Sequence, residues 1–213
     1  MRYLTPLVHP ASVMRGRWHL APVQVAYLKR LAKDPNPTLV DTKLCPPGCV
    51  ADPTLDYLRT FTQLVREFDQ IVAFDIENAG PHLVCCGMVR MYPDTLAPGT
   101  GVCFRFRRKG GAPWWPTFEE HLEVVTLLDS ILGDSSVTKV GHFIIQHDLP
   151  LLQTLGFAVS GPLIDTAALL HATHAELPKG LAFNATLFCG APRWKDIPDE
   201  KESEPTEETG ESE

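Results

Sequence analysis

Asp75 and Glu77 are the first residues whose types and spacing could do chemistry. They close the run Ile71-Val72-Ala73-Phe74-Asp75-Ile76-Glu77-Asn78, whose lead-in is mostly β-branched or aromatic. Such a run favours a strand. On a strand, the i, i+2 spacing puts both carboxylates on one face. Two like charges in an apolar setting are costly unless a cation neutralises them. Hard divalent cations prefer carboxylate oxygens. The octapeptide alone leaves two readings: a strand presenting a metal pair, or a strand end whose acids reach solvent. A further acid, Asp148, ends His142-Phe-Ile-Ile-Gln-His147-Asp148 and leads into an expected helix that stops at Gly156.

The only dense basic cluster is Arg105-Phe-Arg107-Arg108-Lys109-Gly-Gly. It reads as a solvated hairpin edge or as a phosphate contact. Phe74 and Phe143 flank the acids and could wedge against a terminal base or pack into a core. Six cysteines are present. Cys85 and Cys86 point to opposite faces of an expected strand, and with Cys103 and Cys189 they read as small core residues. Cys45 and Cys49 form a CxxxC with no second pair at zinc-finger spacing, so a plain loop is expected there.

These residues need elements to position them. Asp52-Pro53 reads as a helix start, with Leu55, Leu58, Phe61 or Thr62, Val65 and Phe68 on the buried face of a helix over about 54–67. Strands are expected over 71–77, 83–91 and 102–107. Thr117-Phe-Glu-Glu120 is a capping box opening a helix over about 118–132, with Leu122, Val125, Leu128 or Asp129, and Leu132 inward. A short strand follows over 137–141. Asp165-Thr166 caps a helix through about His174, and Leu177-Pro-Lys-Gly180 turns into 181–188. The order β-β-β-α-β-α predicts a mixed α/β domain.

The chain has 213 residues and a net charge of −7. All of that charge sits in residues 195–213, with nine acids and two lysines; the remainder is neutral. A neutral body tolerates a polyanion, whereas an acidic tail poor in apolar residues reads as disordered. No apolar run reaches the length a membrane helix needs, and no signal peptide is visible, so a reducing, cytoplasmic setting is the default. Residues 1–33 read as a helical remnant too short to fold alone, with Val23, Tyr27, Leu28 and Leu31 at helical spacing. Residues 34–52, rich in proline, read as a linker. Residues 53–194 form the main domain and 195–213 the tail.

Three pieces in one order resemble the DEDD family of 3′–5′ exonucleases: Phe74-Asp75-Ile76-Glu77; Gly141-His142-Phe143-Ile-Ile-Gln-His147-Asp148; and Asp165-Thr-Ala-Ala-Leu-Leu-His171 with Glu176-Leu-Pro-Lys-Gly-Leu-Ala-Phe. The likeness, over about 65–196, is to the proofreading domain of phage and bacterial family A DNA polymerases. It implies an RNase H-like mixed sheet flanked by helices. It also implies two Mg²⁺ or Mn²⁺ ions held by Asp75, Glu77 and Asp148, and hydrolysis at a single-stranded DNA 3′ end. Phe74, Phe143, Arg105, Arg107 and Arg108 would touch nucleic acid, and a DNA polymerase domain or subunit would be the partner. The setting would be the cytoplasm of a bacterial or phage-infected cell. Asp165 matches a helix-capping acid and is expected to be structural, as are His142 and His147.

Two departures stand out. Phe143 occupies a position that often holds Asn in the family. The last motif, a Tyr or His followed by a fourth carboxylate, has no match beyond Trp194-Lys195-Asp196, where only Asp196 or Asp199 could substitute. An inactive, nucleic-acid-binding relic is therefore the competing expectation. A second resemblance, over about 5–32 around Leu-Val-His9-Pro10-Ala11-Ser12-Val-Met-Arg15-Gly16, is to the C-terminal end of a uracil-DNA glycosylase-like domain. It implies a fragment of a larger polymerase-type protein, or a gene shortened at both ends, without glycosylase activity.

Overall fold

The computed structural model describes Val25, residues 48–95 and residues 98–189. Six strands form one sheet in the order β1-β4-β3-β2-β5-β6. They are β1 (Cys49–Val50), β2 (Ile71–Ala79), β3 (His82–Met91), β4 (Pro98–Arg105), β5 (Thr138–Gly141) and β6 (Leu163–Asp165). β2, β3 and β4 make an antiparallel meander, while β5 runs parallel to β2, β6 parallel to β5 and β1 parallel to β4. This is the mixed sheet flanked by helices that the order of elements predicts.

Two helices cover one face. Helix α1 (Leu55–Leu64) starts at Thr54, whose hydroxyl accepts from Tyr57 N, and not at Asp52 as the sequence suggests. Threonine wins because its backbone sits in the extended conformation a cap requires, with its oxygen aimed at the third following amide. Leu58, Phe61 and Val65 form the inward stripe. Phe68, expected on that stripe, is 66% exposed, because residues Val65–Asp69 widen into a π turn that ends at Gln70 with φ +51°. The extra residue per turn rotates Phe68 off the face.

Helix α2 (Phe118–Leu132) carries the expected capping box, Thr117 with Glu120. Its buried stripe is Val124, Leu128, Ile131 and Leu132; Leu122 is exposed, so the inward face is turned from the expected one. These side chains meet Val72, Phe74, Cys86, Met88, Val102 and Phe104 from the sheet. Phe61 and Phe104 pack edge to face at 6.2 Å, a geometry that stabilises aromatic pairs beyond area burial alone.

Behind β5 come α3 (Asp148–Thr154), α4 (Thr166–Thr173) and α5 (Leu181–Asn184), the last continuing as a π turn over Ala185–Cys189. Gly141 ends β5 where the chain folds back under itself. A Cβ there would collide with the Ile144 side chain and stand 3.0 Å from Phe74 O. Gly141→Ala is expected to lower stability by about 2 kcal/mol or more, checked by urea unfolding; a neutral result would show that the turn yields.

Two of the expected linker residues, Cys49 and Val50, are an edge strand paired with Gly101 and Val102. Strand β6 was not legible as a strand. Of the cysteines expected in the core, Cys86 is buried, Cys85 and Cys103 are half-buried on the face away from α1 and α2, and Cys189 is exposed. Among the described residues, no helix is long and apolar enough to cross a membrane. The helical remnant, apart from Val25, and the acidic tail, with Asp196 and Asp199, lie outside the described residues.

Candidate functional site

Strand alternation separates Val72 and Phe74, which are buried, from Asp75 and Glu77, which are exposed. The two acids share the face that α1 and α2 leave open, as the i, i+2 spacing requires. Opposite Asp75 in the ladder stands Gly87, and opposite Glu77 stands Cys85. Gly87 leaves the space across from the Asp75 carboxylate free of any side chain. Its signal was a glycine inside a strand pattern, which often marks a close approach.

Asp148 comes in from the side. β5 pairs with β2 only as far as Ala73, so the amides beyond it on that edge have no strand partner from β5. α3 begins there, and Asp148, its first residue, accepts from Ile76 N at 3.2 Å. That amide lies between Asp75 and Glu77. A residue 72 positions further along is thus tied to the backbone that carries both acids.

Electrostatics agree with this proximity. Asp148 is 4% exposed. Burial, and then the charge of Asp75, push its carboxyl above the ordinary aspartate value; the Ile76 amide offsets only part. His147 is exposed beside it, and a groove of about 190 Å³ opens between Ile76, Asn78, His147, Asp148 and Leu151. Cys85, across from Glu77, has its thiol drawn down to about 7, chiefly by the neighbouring Cys103 thiol.

Carboxylates with no cationic side chain paired to them among the described residues match the donor chemistry of a hard divalent cation. The geometry is less complete. Among the described residues, no three His, Cys, Asp or Glu side chains are gathered closely enough to hold a metal ion.

The loop before Asp148 is held by Asp165. Its carboxylate accepts from Phe143 N at 3.0 Å, Ile145 N at 3.2 Å, Ala167 N at 2.9 Å and Ala168 N at 3.3 Å. Burial alone would raise its pKa, but together these four amides hold it below the ordinary value. Asp165 therefore both caps α4 and fixes the turn in which Phe143 adopts φ +62°. Phe143 packs edge-on against His142 at 5.0 Å and His147 at 6.2 Å. His142 contacts Thr166 Oγ1 through Nδ1 at 2.9 Å and Lys179 O through Nε2 at 2.6 Å, so its ring ties β5 to the segment before α5.

Phe74, expected as a nucleic-acid contact, is 4% exposed and belongs to the core. It precedes Asp75 and so must face the other way, where no base can stack. The arginines all have partners within the protein. Arg105 Nε lies 2.9 Å from Asp52 Oδ1 and donates to Ala51 O; Arg107 donates to Gly111 O; Arg108 donates to Trp114 O. Trp114, which the sequence did not single out, lies under both Arg105 and Arg108.

The chain matches no protein-family model and no curated protein. Among solved structures it is similar to RNase D of Escherichia coli, with 24% identity over 67% of this chain and a TM-score of 0.42. It is similar to Brucella melitensis NrnC with bound Mg²⁺, with 23% identity over 67% of this chain and 60% of that one, and a TM-score of 0.41. RNase D of Trypanosoma brucei in complex with RNA U12 shows 16% identity over 68% of this chain and 48% of that one, at a TM-score of 0.48. The chain spans a third of the length of the E. coli protein, 33%.

Proposed function

We propose that residues 53–194 are a nuclease domain of the DEDD 3′–5′ exonuclease type, with Asp75, Glu77 and Asp148 as the ligands for Mg²⁺ or Mn²⁺. The observation that carries this reading is the hydrogen bond from Ile76 N to Asp148 Oδ1. It brings the third acid against the strand that bears the other two. Divalent ions bound there would activate water and neutralise charge on the phosphate under attack. The protein's part is to hold the acids. β2 fixes Asp75 and Glu77 on one face, Asp165 fixes the turn, and α3 delivers Asp148. The finer reading is proofreading-type removal of 3′ nucleotides from single-stranded DNA, in a bacterial or phage-infected cell, alongside a polymerase domain or subunit.

A second reading has one specific observation in its favour. No three-donor set is closed among the described residues, which supports a nucleic-acid-binding domain without hydrolysis.

A 5′-labelled single-stranded oligonucleotide, as DNA and as RNA, incubated with the full chain in Mg²⁺ or Mn²⁺ separates the two. A ladder shortening from the 3′ end is expected, absent in EDTA and absent in Asp75→Asn. If binding persists without any ladder at high protein concentration, the second reading stands and the nuclease assignment fails.

A further inference from the structure

β4 ends at Arg105, and the chain makes a tight excursion over 107–113 before returning. Arg108 N donates to Ala112 O and Trp114 N to Phe106 O. Gly110 and Gly111 take φ of +91° and +89°, which only glycine adopts without strain. The returning strand is pinned where Trp115 Nε1 donates to Arg105 O at 2.8 Å. The Trp114 ring then meets the Arg105 guanidinium at 4.4 Å and that of Arg108 at 4.6 Å.

Two guanidiniums against one indole are close like charges that no carboxylate fully neutralises among the described residues. Among the described residues, Arg105 is the one of the two paired with a carboxylate, that of Asp52, which is itself mostly exposed. Lys109 is exposed next to them. Guanidinium forks held in place by stacking are preorganised for phosphate.

The ladder fixes where this cluster sits. Glu77 pairs with Cys85, and Cys85 pairs with Arg105. The acid and the arginine thus lie in one row across three strands, on the same open face, with their backbone positions about 10 Å apart.

We propose that Arg105 and Arg108, held by Trp114 and assisted by Arg107 and Lys109, form a phosphate-binding ledge for a single-stranded nucleic acid whose end lies at the carboxylates. Trp114 is a positioning residue: it sets the guanidiniums and makes no contact with the reacting atoms. Asp52 competes with the phosphate for Arg105. The ledge deepens the function proposed above and rests on it for the direction of the strand. Its test uses binding without hydrolysis, so the two stand or fall separately.

The test is fluorescence anisotropy of a labelled oligo-dT with the full chain in EDTA, over a salt series. The unaltered protein is expected to bind at low salt, with affinity falling as salt rises. Arg105→Ala with Arg108→Ala should weaken binding about tenfold or more and flatten the salt slope by roughly 1.4, two phosphate contacts' worth. Trp114→Ala should weaken binding several-fold at unchanged melting temperature, with Trp114→Phe restoring part. Asp52→Asn should tighten binding and leave the slope no shallower. The proposal is overturned if the double arginine variant keeps both affinity and slope. It is equally overturned if the unaltered protein binds no oligonucleotide at low salt, or if Asp52→Asn weakens binding.

Discussion

Asp148→Asn is expected to make the ion-free protein more stable at neutral pH while abolishing the metal-dependent chemistry proposed for it. The carboxyl is buried and faces the charge of Asp75, so its pKa is raised in the folded state. A raised acid pKa means the native state holds the proton more tightly than the unfolded chain. Stability is then highest where Asp148 is protonated. It falls as pH rises from the unfolded aspartate value, about 3.9, through the higher folded value. Asparagine keeps an oxygen to accept from Ile76 N, carries no charge and removes that fall. Urea midpoints from about pH 4 to neutrality should therefore diverge upward for the variant as pH increases. The proposed nuclease activity should drop about 100-fold or more, since loss of mere supporting contacts to a metal site costs up to that much. The opposite stability result, a variant weaker at neutral pH, would mean that Asp148 is a stabilising structural acid and not a strained one.

Asp165→Ala should produce a large loss of stability. Four backbone amides lose their acceptor together. An amide left without a partner in a partly buried site costs about 1–3 kcal/mol. The total is expected to reach about 4 kcal/mol, enough to unfold a marginal domain. The wild-type pH dependence carries the opposite sign from Asp148. The folded pKa of Asp165 is lowered, so its stabilisation is present above the unfolded aspartate value. It is lost as pH falls from there through the lower folded pKa. Thermal unfolding against pH would show this. Asp165→Asn should be intermediate, because one amide oxygen cannot serve both sets of donors. A fully stable alanine variant would show that the Phe143 turn is held by packing alone.

The two aspartates differ in what their sequence context reveals. Asp165 stands before a run of helix formers, so its capping role follows from local rules, and its side chain accepts from Ala167 and Ala168 as that role requires. Its grip on Phe143 and Ile145 joins residues about twenty positions apart, and no local pattern encodes it. The Thr117–Glu120 box is likewise complete within four residues and was read directly. Thr54 caps the helix in place of Asp52, whose carboxylate is paired instead with Arg105, distant in the chain.

Lys139 shows the same limit. It lies in the short strand β5 and is fully buried, donating to Asp134 O and Ser160 O. Burial draws its pKa down to about 8. Two carbonyls from separate loops make that burial tolerable, and only the folded chain brings them together.

Local rules were enough for the alternation that sets Asp75 and Glu77 on one face, for the major helices and for the presence of the three strands that make the meander. They were enough because side-chain period and capping are properties of neighbouring residues. Tertiary structure alone decided the pairing of the two-residue β1 and three-residue β6, whose hydrogen bonds come from distant strands. It alone decided that Asp148 meets the Ile76 amide, and that Arg105 lies in line with Glu77. Each of these joins segments through the sheet's register, and register is fixed by which face can be buried against α1 and α2.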